Sequence, residues 1–260
     1  AYDTTLYFQD FLVPERGALQ VADEAAVAVA DGWKELKIKT GRGGRWMMPE
    51  AGMRRDIDVV LGVREAVGQD VKIYVDANFG YDNHLDLLDQ FIGEVTPANI
   101  FWFEEMVTHD VDGYRAMREM QAKYGSKALL TCGEVDRNPI SEVFQDLIDD
   151  GLIDGYQPDV VSHGFLGWME IELQLAGTGV RSIPHNFGNG SFGTFASIVF
   201  GAASETHVSL EDERILPHFL TGQPDFINGA YTLPTGPGLG VDIDEAGFAP
   251  HAKHEFRAEV

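Results

Sequence analysis

Lys72-Ile73-Tyr74-Val75-Asp76 is a short apolar run that stops on a carboxylate, and 28 residues after Asp76 the pattern returns as Phe101-Trp102-Phe103-Glu104. It returns again in Leu129-Leu130-Thr131-Cys132-Gly133-Glu134, then in Tyr156-Gln157-Pro158-Asp159, Ser182-Ile183-Pro184-His185 and Val208-Ser209-Leu210-Glu211. From Glu104 onward the intervals are 30, 25, 26 and 26 residues, each about one βα repeat. Residues 6–12 and 36–39 are further runs of strand length. With 73–75, 100–103, 128–131, 155–157, 181–184 and 208–210 they make eight candidate strands. Between them lie segments with helical spacing. Ile57, Val60 and Leu61 form one, closed by Gly68; Leu85, Leu88, Phe91 and Ile92 another; Ile140, Val143, Phe144 and Leu147 a third, opened by Pro139. Strands alternating with helices predict the α/β class and a closed (β/α)8 TIM-type barrel, with a doubly wound open sheet as the alternative. Residues 222–247 change character, being rich in Gly and Pro, and read as an extended C-terminal segment. The expected division is therefore a barrel at 1–221 and a tail at 222–260 lying over it.

Composition narrows the function. A length of 260 residues suits one barrel. With 42 acidic against 19 basic residues the net charge is -23, which argues against nucleic acid and against anionic lipid. A solvated acidic surface is the plain reading, and a salt-adapted source the second. No apolar run is long enough for a membrane span. The chain does not open with a basic region followed by an apolar stretch, so no signal peptide is expected. The single cysteine, Cys132, excludes an internal disulfide and points to the cytoplasm.

In a barrel the residues that end the strands ring the C-terminal mouth, where active sites form. Asp76, Glu104 and Glu134 would then converge from neighbouring strands. Three such carboxylates repel one another unless a cation lies between them, and hard oxygen donors favour Mg2+ over Zn2+. Taken singly, each is more often a solvated loop residue or a helix cap. In Leu36-Lys37-Ile38-Lys39 both lysines share a face by the period of two. Pointing inward, each would disfavour the other's charge and lower a pKa enough for one to act as a base; an edge strand with solvated lysines is the alternative. Asp159 and His185 end adjacent strands, so the carboxylate would orient the imidazole. Glu211 either donates a hydrogen bond to a developing enolate when protonated or begins a helix. The loop at 40–52 carries Arg42 and Arg45, and is either a flexible surface loop or a cover whose arginines meet a substrate carboxylate.

These residues together resemble the barrel domain of the enolase superfamily, in its mandelate racemase and muconate lactonizing branch. The matching pieces are Lys37-Ile38-Lys39, Val75-Asp76-Ala77-Asn78, Trp102-Phe103-Glu104-Glu105, Gly133-Glu134, Gln157-Pro158-Asp159, Pro184-His185-Asn186 and Pro237-Gly238-Leu239-Gly240. The resemblance implies that Asp76, Glu104 and Glu134 bind Mg2+, and that Lys39, tuned by Lys37, is a base on one face of the substrate. It implies that a His185–Asp159 dyad acts on the other face and that Glu211 supports the enolate. Three features depart from the family pattern: Met106 stands where Pro is common, Ser162-His163-Gly164-Phe165 replaces paired glycines, and no N-terminal capping domain is visible. The expected reaction is removal of the α-proton of a small-molecule carboxylate, leading to dehydration of an acid sugar to a 2-keto acid. Asn78, Asn186, Arg42 and Arg45 would hold its hydroxyls and a second charge. The alternatives are a racemase or epimerase of a 2-hydroxy acid, which Tyr81, Phe187 and Trp46 would suit, and a non-catalytic Mg2+-binding scaffold. Barrels of the family often assemble, which leaves a homo-oligomer open.

Overall fold

Strand alternation decides which side chains meet inside the sheet. In the computed structural model, which describes residues 1–137 and 140–252, β2 (Glu35–Lys39) turns Leu36 and Ile38 into the apolar layer under the helices and Lys37 and Lys39 the other way. The same period of two runs through β3 (Lys72–Asp76) and β4 (Trp102–Glu104). Ile73, Val75 and Phe103 join the outer layer, while Tyr74 and Trp102 face inward with Asp76 and Glu104 above them. Inside, the Tyr74 and Trp102 rings stack with centroids 3.7 Å apart, and Tyr2 meets both edge-on. This aromatic floor fills the sheet's concave side below the polar residues, each ring pair contributing on the order of 1 kcal/mol beyond its buried area.

The remaining strands are β1 (Tyr2–Leu6), β5 (Leu129–Cys132), β6 (Gly155–Tyr156), β7 (Arg181–Ser182) and β8 (Glu211–Asp212). All pairs in the eight-stranded sheet are parallel, in the order β7-β6-β5-β4-β3-β2-β1-β8. Each strand lies beside its sequence neighbour and the last returns to the first. A doubly wound sheet reverses its order at a switch point, so that alternative is removed. Among the described residues no ladder joins β7 to β8. There Ser182 N donates to Thr206 Oγ1 at 3.3 Å, and Asn186 N to Glu211 Oε2 at 2.8 Å.

Helices alternate with the strands: α1 (Ala18–Ala30), α2 (Arg42–Arg45), α3 (Pro49–Val67), α4 (Leu85–Val95), α5 (Val111–Tyr124), α6 (Glu142–Asp149), α7 (Val160–Leu175) and α8 (Gly190–Ala203). Their apolar stripes pack on the sheet, as with Leu88, Phe91, Ile92 and Val95 of α4, all buried. Among the described residues, no helix is long and apolar enough to cross a membrane.

Four expectations change. The first strand is not 6–12 but Tyr2–Leu6, because Phe8 takes a left-handed backbone (φ 59°) and Gln9–Phe11 winds into a 3-10 turn that buries Asp10. The last strand is not 208–210 but Glu211–Asp212, set by its pairing with Tyr2 and Asp3. The loop at 40–52 is structured: it holds α2 and the first turn of α3, with Pro49 opening that helix. The third amphipathic segment becomes helical only from Glu142, and Pro139 lies outside the described residues. The tail forms β9 (Leu220–Thr221) with β12 (Asp242–Ile243), and a hairpin of β10 (Phe226–Ile227) with β11 (Ala230–Tyr231). It rests on the body of the eight-stranded sheet and its helices through Phe226 against Trp33, ring centroids 4.3 Å apart, and through the Tyr231 hydroxyl, which donates to Asp212. Residues 253–260 of the expected tail lie outside the described residues.

Candidate functional site

Register brings the first two carboxylates together: Asp76 pairs with Glu104 across β3 and β4, and Glu104 with Thr131 across β4 and β5. Glu134 reaches the same place from the turn after β5. Gly133 makes that turn with φ 123°, and a Cβ there would lie 2.9 Å from the Tyr156 ring. Oxygens of Asp76, Glu104 and Glu134 lie within 4.8 Å of one another. Asp76 and Glu104 are buried and Glu134 half-buried. Burial, only partly offset by Lys37, acts with the nearby charges of Asp76 and Glu211 to push Glu104 up to about 8. A group of hard oxygen donors this crowded is short of positive charge, which fits a divalent cation of the Mg2+ type.

Both lysines point inward, with a consequence opposite to the expected lowering of pKa. Lys37 Nζ lies 2.5 Å from Glu211 Oε1, 3.0 Å from Glu104 Oε1 and 3.4 Å from Asp76 Oδ2. Lys39 Nζ donates to Asp76 Oδ2 and, at 2.6 Å, to Asn78 Oδ1. Burial pulls both ammonium groups down, but Glu104 and Glu211 for Lys37, and Asp76 for Lys39, outweigh it and raise them. The carboxylates outvote the neighbouring ammonium.

His185 stands on the other side of the triad from Lys39. Its Nε2 lies 3.1 Å from Glu134 Oε2 and its Nδ1 a long 3.5 Å from Asp159 Oδ2. Burial lowers its pKa, but Glu211, Asp159 and Glu134 together drive it up to about 10. Asp159 also caps α7, accepting from Val161 N and Ser162 N at 2.9 Å each, and takes a 2.6 Å bond from Asn189 Nδ2. Against burial, His185, Ser162 N–H and Asn189 hold it down at about 2.

Three expected roles change. Glu211 accepts from Thr4 Oγ1 at 2.8 Å and from the N–H groups of Asn186 and Phe187, besides pairing with Lys37. Despite burial these hold it below the usual carboxylate range, so it is an ionised anchor and not a protonated donor. Asn186 is fully buried and its amide donates to Thr194 Oγ1 and to the Glu211 carbonyl, so it supports Glu211 and does not face a substrate. Arg42 likewise faces no solvent. Its guanidinium is clamped by Asp10 and Asp56 at 2.6 and 2.7 Å and donates to the Lys39 carbonyl at 3.0 Å. Asn78 is a hub: Oδ1 takes Lys39 and Nδ2 donates to Glu134 Oε1 at 3.1 Å.

Sequence reasoning missed Thr4, Asn189, Thr131 and Gln157. The Thr131 hydroxyl and both amide atoms of Gln157 are buried without a hydrogen-bond partner among the described residues, next to the strand ends that carry Glu104 and Glu134. Gln157 directly precedes Pro158-Asp159, a signal that was present in the sequence. Beside Asn78 opens a cavity of about 470 Å³ lined by Tyr7, Phe8, Arg45, Trp46, Phe79 and His84 among others.

A parallel barrel-type sheet with three carboxylates, two inward lysines and a His–Asp pair at its C-terminal edge defines a class. The chain belongs to the enolase C-terminal domain-like family, whose model matches residues 20–247. It is 30% identical over 240 residues to D-galactarolactone cycloisomerase of Agrobacterium fabrum, covering 86% of this chain and 58% of that protein. It is 27% identical over 250 residues to D-gluconate dehydratase of Thermoproteus tenax, covering 92% of this chain and 46% of that protein. Among solved structures, a galacturonate dehydratase from Geobacillus sp., crystallised with Mg, superposes with a TM-score of 0.87 at 32% identity, covering 96% of this chain and 64% of that one. The chain thus spans about half to two-thirds of the length of these relatives.

Proposed function

We propose that the protein removes the α-proton of a hydroxy-acid substrate with the help of Mg2+, and that it dehydrates an acid sugar to a 2-keto acid. The observation that carries this reading is the convergence of Asp76, Glu104 and Glu134 within 4.8 Å, flanked by Lys39 on one side and His185 on the other. Relatives that dehydrate gluconate and galacturonate support it. The hydrogen bonds from Ser182 and Asn186 to Thr206 and Glu211 support a barrel closed between β7 and β8.

Asp76, Glu104 and Glu134 would hold the ion. Bound there, Mg2+ offsets the negative charge that develops on the substrate carboxylate as its α-proton leaves. Lys39 Nζ would take that proton as the neutral amine, a form that Lys37 favours and that Asp76 opposes until its carboxylate is committed to the ion. Asn78 Oδ1 fixes the position of Nζ. As the electron pair moves to form the enol, the bond from the β-carbon to its hydroxyl breaks, and His185, held between Glu134 and Asp159, supplies the proton with which it leaves as water. The enol then ketonises. Asp159 and Asn189 hold the imidazole's surroundings, Glu211 keeps Lys37 charged, and Asn78 and Arg45 contact the substrate. A second reading, racemisation of a hydroxy acid by the same pair, is favoured by the Tyr7–Phe187 stack at 5.5 Å, with Tyr7 also lying 5.3 Å from Lys39 Nζ.

The test is a 2-keto-acid assay on the full-length protein with Mg2+ and a panel of aldonic, aldaric and uronic acids. Keto acid that appears with Mg2+ and disappears on chelation is the expected result. Unchanged turnover after Lys39→Ala would remove Lys39 from the chemistry.

A further inference from the structure

The cavity of about 470 Å³ is contiguous with the acid/base groups through two residues. Asn78 lines it while its amide bonds Lys39 and Glu134, and Tyr7 lines it with its ring 5.3 Å from Lys39 Nζ. Asn78 and Tyr7 thus border both Lys39 and this space. The volume is that of a small-ligand site. Its wall is aromatic, with the Phe8 and Trp46 rings 6.3 Å apart. Its floor is bare backbone: a Cβ on Gly80 would sit 2.3 Å from Gly41 Cα, and one on Gly44 would sit 2.8 Å from Gly80 Cα. The two loops thus touch main chain to main chain.

The charges in the lining are unequal in their commitments. Asp82, which also lines the cavity, has both carboxylate oxygens occupied by Thr108, accepting from its N and Oγ1 at 2.6 Å each. Arg42, one turn before Arg45, is neutralised by Asp10 and Asp56. Arg45 has no ion pair among the described residues, although the chain carries 42 acidic and only 19 basic residues. An uncommitted guanidinium presents a planar fork that matches a carboxylate in two parallel hydrogen bonds.

We propose that this cavity receives the end of the substrate remote from the reacting carbon and that Arg45 there binds a second carboxylate, so that the substrate is a hydroxy dicarboxylic acid of the aldaric type and not a monocarboxylic aldonic acid. The proposal rests on the acid-sugar reading above and narrows it. The aromatic wall covers the carbon chain's C–H face, and the polar edges of Asn83 and His84 are placed for its hydroxyls.

Two measurements on the full-length protein in Mg2+ test it. In the first, kcat/KM is compared for a six-carbon aldaric acid and the aldonic acid of the same configuration, in wild type, R45A and R45K. The wild type is expected to prefer the diacid. R45A should lower that preference by about 10- to 100-fold, the range for losing a charge-assisted hydrogen-bonded pair, and R45K should restore part of it. A wild-type preference for the monoacid, or a preference unchanged in R45A, overturns the proposal. In the second, calorimetry reads binding of the same diacid to wild type and R45A. Diacid binding that weakens in R45A without any turnover upholds the cavity's role and contradicts the dehydratase reading. Equal binding by the two proteins contradicts the role of Arg45, whatever the turnover.

Discussion

Lys39 and His185 each gain their meaning from what neutralises them. Lys39 shares Asp76 and Asn78, and His185 is pressed between Glu134, Asp159 and Glu211. Replacing either by a residue that cannot exchange a proton, Lys39→Ala or His185→Asn, is expected to lower kcat by about 10²- to 10⁴-fold while the circular-dichroism spectrum stays native. A variant that keeps its wild-type kcat is not part of the proton path. A second residue, away from the site, reports on stability. Burial pushes His207 down to about 4 from the ordinary 6.5. The folded state therefore prefers the neutral ring. The stability gained by keeping it neutral is complete above about pH 6.5 and is lost as pH falls toward 4, amounting to roughly 3 kcal/mol across that window. Urea midpoints of His207→Gln measured from pH 7 to 4 should fall less steeply than those of the wild type; parallel curves would contradict the assignment. What sequence showed at this scale was the grouping of Asp76, Glu104, Glu134, Asp159, His185 and Glu211, because each follows an apolar strand at a regular interval. It did not show their protonation. Glu211 reads as a donor in isolation and becomes an ionised anchor only because Lys37, Thr4 and two backbone N–H groups converge on it.

The loop between β2 and α3 shows how an element acquires a role through remote partners. Arg42 and Arg45 look alike in sequence, three residues apart. Arg42 is pulled inward by Asp10 from the first loop and by Asp56 from α3, and Asp56 also accepts from Gly41 N, Arg42 N and the Tyr81 hydroxyl. This cluster fixes the strand end that carries Lys39. Arg42→Met leaves buried Asp56 without its counter-charge and Asp10 with Arg55 alone, and is expected to cost about 3–5 kcal/mol, whereas Arg45→Ala should stay within about 0.5 kcal/mol of wild type. Urea denaturation of the two variants separates them, and equal losses would mean that the clamp is not what holds the loop. The contrast was invisible in sequence because Asp10 lies in a stretch that reads as strand until Phe8 turns left-handed. The lysine face of β2, by contrast, was legible, since a period of two needs no partner to be read.

At the scale of the molecule, one side of the sheet gathers cations and carboxylates over an aromatic floor, while a tail with its own small sheets braces β8 and holds Ala1. Strand order was legible from the even spacing of apolar runs. The tail's packing was not, because Gly- and Pro-rich sequence has no periodicity to read. Mg2+ that binds the folded triad should stabilise the whole domain, by about 2.7 kcal/mol at a concentration of 100 Kd, and Glu104→Gln should abolish the rise in Tm. A rise that survives Glu104→Gln would place the ion elsewhere. The central claim, proton removal by Lys39 beside a metal-binding triad, is tested most directly by proton NMR of the full-length protein with an acid sugar in D₂O. The account predicts loss of the α-proton signal with a 2-keto product in Mg2+, and neither change in chelator or with Lys39→Ala. Keto product formed at the wild-type rate by Lys39→Ala, or formed in the presence of chelator, would contradict it.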